Sequence, residues 1–172
     1  MTSTERRGKP RHSRPPPVTM KLGILSDTHD YLDARLDQLF IGVDHILHGG
    51  DVGMQQIILE LGFRAPVTAV LGNTDMGNPL KLTEVVTLAG RKFLLHHIVN
   101  PHAPDEKFRM LLAKHRPDVV IFGHTHRAFD EVIGGVRFFN PGYAGKPKLG
   151  TERSVAILHC DEKEMRAEFL AL

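Results

Sequence analysis

Short apolar runs alternate with amphipathic stretches in the first half of the chain. Leu22-Gly23-Ile24-Leu25 is apolar, ends in polar residues and predicts a buried strand. Leu32, Leu36, Leu39 and Phe40 then recur at helical spacing, with Asp33, Arg35, Asp37 and Gln38 between them. Asp30 stands where an N-cap belongs. The plan repeats: Asp44–His48 predicts a second strand, residues 54–62 a second helix through Ile57, Ile58 and Leu61, and Val67–Leu71 a third strand. Strands spaced by helices imply right-handed crossovers and a parallel sheet, with the C-terminal strand ends along one edge.

Past position 80 the pattern changes. Leu82–Leu88 alternates like a half-buried strand, Ala89–Lys92 reads as a turn, and Phe93–His96 pairs back as a hairpin. A helix is expected over about Asp105–Lys114, with Phe108, Leu111 and Leu112 on its apolar side. Pro117–Ile121 is another buried strand. Arg127–Ile133 with Val136–Phe139, and Arg153–His159 with Glu164–Leu170, form further strand pairs.

The strand ends carry the chemistry. Ser26-Asp27-Thr28-His29 closes the first strand, Gly49-Gly50-Asp51 the second and Gly72-Asn73-Thr74-Asp75 the third. His96 and His97 end the hairpin, and Phe122-Gly123-His124-Thr125-His126 follows the strand after the long helix. The parallel topology brings Asp27, His29, Asp51 and Asn73 to one edge, where open α/β sheets bind ligands. Together with His96, His124 and His126 they make a mixed nitrogen and oxygen donor set without thiolate. Such a set suits Mn²⁺, Fe²⁺ or Zn²⁺. Seven donors exceed one tetrahedral site and suit two ions if a carboxylate bridges. Such a pair clamps both oxygens of an in-line phosphoryl displacement and makes hydroxide available at neutral pH. His45 reads as a surface residue, and His48 as a packed one, with support of the site from behind as the alternative.

Length and charge narrow the partners. A chain of 172 residues predicts one folded domain, and no apolar run reaches the ~20 residues of a membrane span. The single Cys160 excludes an internal disulfide framework, reads as a small buried strand residue and fits a cytoplasmic location. Arg6, Arg7, Lys9, Arg11 and Arg14 against Glu5 give positions 1–20 a net charge of +4, which leaves −2 on the rest. Residues 1–19 are therefore expected to be a disordered basic, Pro-rich tail, and residues 20–172 the domain. Nucleic acid would be met only through that tail, and self-association is left open.

Asp27-x-His29, Gly49-Gly50-Asp51, Gly72-Asn73-x-Asp75, the strand-end His96 and Gly123-His124-x-His126 resemble the calcineurin-like metallophosphoesterase superfamily. The Leu-Ser-Asp-Thr-His opening and the Phe-Asn-Pro-Gly ending resemble its small single-domain bacterial and archaeal phosphodiesterase branch. The resemblance implies an α/β fold, a four-layer α/β/β/α sandwich with two mixed sheets face to face. It implies that Asp27, His29 and His126 hold one metal, that Asn73, His96 and His124 hold a second, and that Asp51 bridges. It implies a phosphoesterase, foremost a phosphodiesterase of a small phosphoester, that attacks phosphorus with a metal-bridging hydroxide. Mn²⁺ is the first choice, ahead of Fe, Zn, Ni and Mg. Asp51, Asn73 and His124 are then catalytic as well as ligating. Thr74 stands where the family commonly has a histidine that protonates the leaving group, so His97 and His102 are the candidate donors. His97 also stands where the family usually has Gly. The alternative from another class is a non-catalytic, protein-binding scaffold of the same fold, like a subunit of the retromer complex.

Overall fold

The chain, described by a computed structural model over residues 19–172, folds as β1 (Met20–Leu25), α1 (Leu36–Leu39), β2 (His45–His48), α2 (Gln56–Gly62), β3 (Val67–Ala69), β4 (Thr83–Leu88), β5 (Arg91–His96), α3 (Glu106–His115), β6 (Val119–Ile121), β7 (Ala128–Ile133), β8 (Val136–Pro141), β9 (Ser154–Cys160) and β10 (Met165–Ala171). The expected tail lies outside the described residues except for Thr19.

Two five-stranded sheets result, ordered β10-β9-β1-β2-β3 and β4-β5-β6-β8-β7. In the first, β1, β2 and β3 run parallel, as the βα repeats predict, and the antiparallel β9–β10 hairpin extends the sheet beyond β1. In the second, β5, β6 and β8 are parallel, and the hairpin partners β4 and β7 are the antiparallel edges.

Strand alternation sorts the apolar side chains into three layers. Leu22, Ile24 and Leu47 of the first sheet meet Phe93, Leu95, Ile121 and Phe139 of the second in the central cluster. Leu25, Ile46 and Ile157 point the other way and pack under Leu36, Phe40, Ile57 and Leu61 of α1 and α2. Leu94, Val120 and Phe138 do the same under Phe108 of α3. The order is therefore helix, sheet, sheet, helix, with both faces of both sheets covered by apolar groups. Each fully buried Leu or Phe contributes about 1.5–3 kcal/mol of transfer free energy. No helix among the described residues is long and apolar enough to cross a membrane.

Two local expectations change. The first helix is four residues long, and before it Asp30 and Asp33 are committed to bonds other than helix caps. Asp30 does not cap it: its carboxylate accepts from the Met54 N–H across the site. Asp33 is buried and forked by Arg35, with Nε at 3.0 Å and a terminal nitrogen at 2.9 Å, while Arg153 donates from 2.7 Å. By contrast α3 begins as expected: Asp105 is its N-cap and accepts from the Phe108 N–H at 2.7 Å.

Candidate metal centre

The loops after β1, β2, β3, β5 and β6 meet at one end of the sandwich. Asp27, His29, Asp51, His124 and His126 all have positive φ, between 46° and 69°. A non-glycine residue in this left-handed region is uncommon, and such strain clusters at functional sites. The turns are also tight. A Cβ at Gly72 would collide with the Asp51 carboxylate, and one at Gly123 with Ser26 Oγ.

Buried polar groups lock the loops. Asp75 accepts from the N–H groups of Val52 (3.0 Å), Gly53 (2.7 Å) and Gly72 (2.8 Å), tying the turn after β3 to the loop after β2. Asn140 donates to Gly123 O at 2.9 Å and to Thr125 Oγ1 at 3.1 Å, fixing the histidine-bearing loop from β8. His48 is fully buried, and burial pushes it down to about 3, so it stays neutral. Its Nδ1 accepts from the Gly50 N–H at 3.2 Å, which leaves Nε2 to bond Thr28 Oγ1 at 3.0 Å. It thereby clamps the two loops that carry Asp27, His29 and Asp51. The sequence reading of His48 as packed holds, but its hydrogen bonds give it a positioning task too. His45 is half-buried rather than on the surface and bonds Thr68 Oγ1 at 2.8 Å.

Among the described residues, two groups have donors close enough to share a cation: Asp27 with His29 and His126, and Asp27 with Asp51 and His97. His126 Nε2 is 3.3 Å from Asp27 Oδ1 and 3.4 Å from His29 Nε2. His29 Nε2 is 3.8 Å from Asp51 Oδ2. Asn73 Oδ1 is 2.9 Å from His124 Nδ1, and the His124 ring meets the His97 ring edge-on at 5.5 Å. Six of the seven expected ligands are thus brought together.

His96 is the seventh, and the structure turns it away. Its Nδ1 bonds Thr83 Oγ1 at 2.8 Å and its ring lies 5.3 Å from Phe108, on the α3 side of the sheet. The cause is strand parity. Phe93 and Leu95 face the central cluster, so Leu94 and His96 face α3, and His97 returns to the inner side. His97 is 2% exposed, with Nε2 3.3 Å from Asp51 Oδ2 and 3.9 Å from Asp27 Oδ1. Its Nδ1–H donates to Gly49 O at 2.8 Å, so Nε2 carries a lone pair. That buried nitrogen has no hydrogen-bond partner among the described residues.

Thr74 donates its N–H to Asp51 Oδ1 at 2.8 Å, and its hydroxyl is 3.4 Å from His29 Nδ1. His102 stands apart, exposed and 3.4 Å from Glu131. Tyr143 and Lys148, which the sequence did not single out, border the cluster: the Tyr143 ring is 4.6 Å from that of His126, and Lys148 Nζ lies 4.2 Å above Tyr143.

The electrostatics of the cluster call for a cation. Burial pushes the Asp27 carboxyl up to about 7. Burial also acts on Asp51, but the Thr74 N–H and hydroxyl outweigh it and hold that carboxyl below its ordinary value. His97 is held down by burial, and so is His126, to about 4, with Lys148 adding to the effect. The His97 Nε2 lone pair faces the carboxyl groups of Asp27 and Asp51, an arrangement that positive charge between them would stabilise. The residues present therefore fit divalent metal.

The chain belongs to the calcineurin-like phosphoesterase superfamily, whose domain model matches residues 20–163. A probable metallophosphoesterase from Methanothermobacter thermautotrophicus is 32% identical over 161 residues, covering 88% of this chain and 92% of the relative. A phosphodiesterase from Methanocaldococcus jannaschii is 30% identical over 168 residues, covering 86% and 97%. In fold, a Vps29 single mutant from Entamoeba histolytica superposes with a TM-score of 0.69 at 22% identity, covering 89% of this chain and 99% of that one.

Proposed function

We propose that the protein is a two-metal phosphodiesterase of a small phosphoester. Asp27, His29 and His126 would hold one ion, Asn73, His97 and His124 the other, and Asp51 would serve both. The observation that carries this reading is His97 Nε2, a buried lone pair without a partner, aimed between two carboxylates. Two divalent ions, Mn²⁺ first, would supply Lewis-acid stabilisation of the phosphoryl oxygens and hydroxide at neutral pH.

The chain's own residues orient and stiffen. Gly49 O holds the His97 ring through Nδ1–H, as buried acceptors do for ligating histidines. The Thr74 N–H fixes one oxygen of Asp51, leaving the other free. His97 then has no proton to give, and His102 is engaged with Glu131 away from the cluster. Thr74 is no acid at neutral pH. The site accordingly suits esters whose leaving group departs without protonation.

Thr74 also favours a second reading, a protein-binding scaffold, since a scaffold needs no acid. A chelator-stripped sample assayed on bis(4-nitrophenyl) phosphate separates them. The enzyme reading predicts turnover that rises with added Mn²⁺ and vanishes on re-chelation. No turnover with Mn²⁺, Fe²⁺, Zn²⁺, Ni²⁺ or Mg²⁺ would return the protein to the scaffold class.

A further inference from the structure

Two cavities of nearly equal size, about 540 and 560 Å³, flank the histidine fork. Both are of the size that takes a small organic group. One reaches His124 and the other reaches His126, and they share Thr125, Arg127 and Ala128 as the ridge between them.

Their walls differ. On the His124 side, Val99 and Phe122 are buried, and Ile98, 51% exposed, stands at the mouth. Phe129 completes that wall, held edge-on by Phe122 at 5.8 Å and by His102 at 6.1 Å. On the His126 side the walls are Thr151, Glu152 and Ser154. Arg127 is exposed and has no hydrogen bond or ion pair among the described residues. It lines both cavities and so places an uncommitted positive charge on the ridge.

We infer that the substrate is an unsymmetrical phosphodiester. One ester group is flat and apolar, of aromatic-ring size, and seats against Ile98, Val99, Phe122 and Phe129. The other is polar and occupies the cavity beside His126. This inference rests on the phosphodiesterase reading above. His124 lines one cavity and His126 the other, so the two ester groups of a diester held between these ligands would diverge into unlike surroundings. Arg127 meets the single negative charge that a diester carries. A phosphomonoester, with one ester group, would leave one of the two cavities empty.

Phosphinate anions test this, because their P–C bonds cannot be hydrolysed while their charge and tetrahedral shape match a diester. Dimethylphosphinate, methylphenylphosphinate and diphenylphosphinate are titrated calorimetrically into protein loaded with diamagnetic Zn²⁺, and the methyl NMR signals of Ile98 and Val99 are followed. The first phenyl ring should tighten binding on the order of ten- to hundredfold and shift those signals. The second ring should add little, since it meets polar walls. Ile98→Asp, at a half-exposed position that the fold tolerates, should shrink the gain from the first ring.

Equal binding of the dimethyl and methylphenyl anions, or shifts confined to other residues, would overturn the inference. So would an equal second increment from diphenylphosphinate. The two failures are distinguishable. Metal-dependent hydrolysis without aryl-selective binding leaves the enzyme reading and removes this one. Aryl-selective binding at Ile98 without hydrolysis removes the enzyme reading, and the substrate inference falls with it, leaving only an aryl-binding pocket.

Discussion

Replacing His97 and His96 by Ala, each alone, separates two neighbouring histidines by what each does. His97→Ala leaves the buried Gly49 carbonyl without its donor and opens a void among Asp27, Asp51 and His124. An unpaired buried acceptor costs about 1–3 kcal/mol, and the void adds to it. Relief of the lone pair's repulsion with two carboxylates offsets part of this in metal-free protein. The expected net loss of stability in EDTA is therefore about 1–3 kcal/mol. Metal binding should suffer far more. Loss of a hydrogen-bond partner behind a ligand already costs 10–100-fold in affinity, so loss of the ligand itself should exceed roughly 100-fold. His96→Ala removes one bond to Thr83 and packing against Phe108, about 1–2 kcal/mol of stability, and touches no ligand. The assays are urea unfolding in EDTA and calorimetric titration with Mn²⁺. If His96→Ala abolishes metal binding while His97→Ala retains it, the parity argument for β5 is wrong.

Asp51→Asn should lower occupancy of both ions together, read by elemental analysis, since one carboxylate serves both; retention of two ions with full turnover would remove the bridging assignment. Thr74→His should raise kcat/KM on an alkyl phosphodiester, toward the ~10²–10⁴-fold that a positioned general acid supplies, and change a nitrophenyl ester little; an equal gain on both would point to binding instead. Asp33→Ala strands the buried Arg153 and should destabilise the protein by about 3 kcal/mol at pH 7. The Arg35 fork, with help from Arg153, holds the Asp33 carboxyl well below the usual carboxylate range. Its contribution is fully present above the unfolded value of about 3.9 and is lost progressively as pH falls towards the lowered folded value, so the gap between wild type and Asp33→Ala should narrow steadily from about pH 4 downwards. A gap that stays constant across that range would show that Arg153 does not depend on the Asp33 charge.

The βα repeats and hairpins were legible because each strand is a short apolar run ended by Gly or polar residues, and the helix from Asp105 because its cap and apolar face agree. Cys160 is buried, as its place in an apolar strand suggests. The choice between His96 and His97 was not legible. Both faces of β5 are covered, Phe93 and Leu95 by the other sheet and Leu94 by α3, so the three residues before His96 are all apolar and alternation marks no inner side. A Gly49 carbonyl at the right distance is a tertiary fact that spacing along the chain does not encode. The same holds for α1: Leu32, Leu36 and Leu39 have helical spacing, but the helix begins only at Leu36, and before it Asp33 is committed to Arg35 and distant Arg153. Lys148 beside His126 had no signal at all, since it comes from a loop 22 residues away.

The most direct test is an anomalous difference map from crystals grown with Mn²⁺. Two peaks are expected, one among Asp27, His29 and His126 and one among Asn73, His97 and His124, both touching Asp51, with His96 still bonded to Thr83. A single peak away from Asp51, or a peak coordinated by His96, would contradict the two-metal assignment.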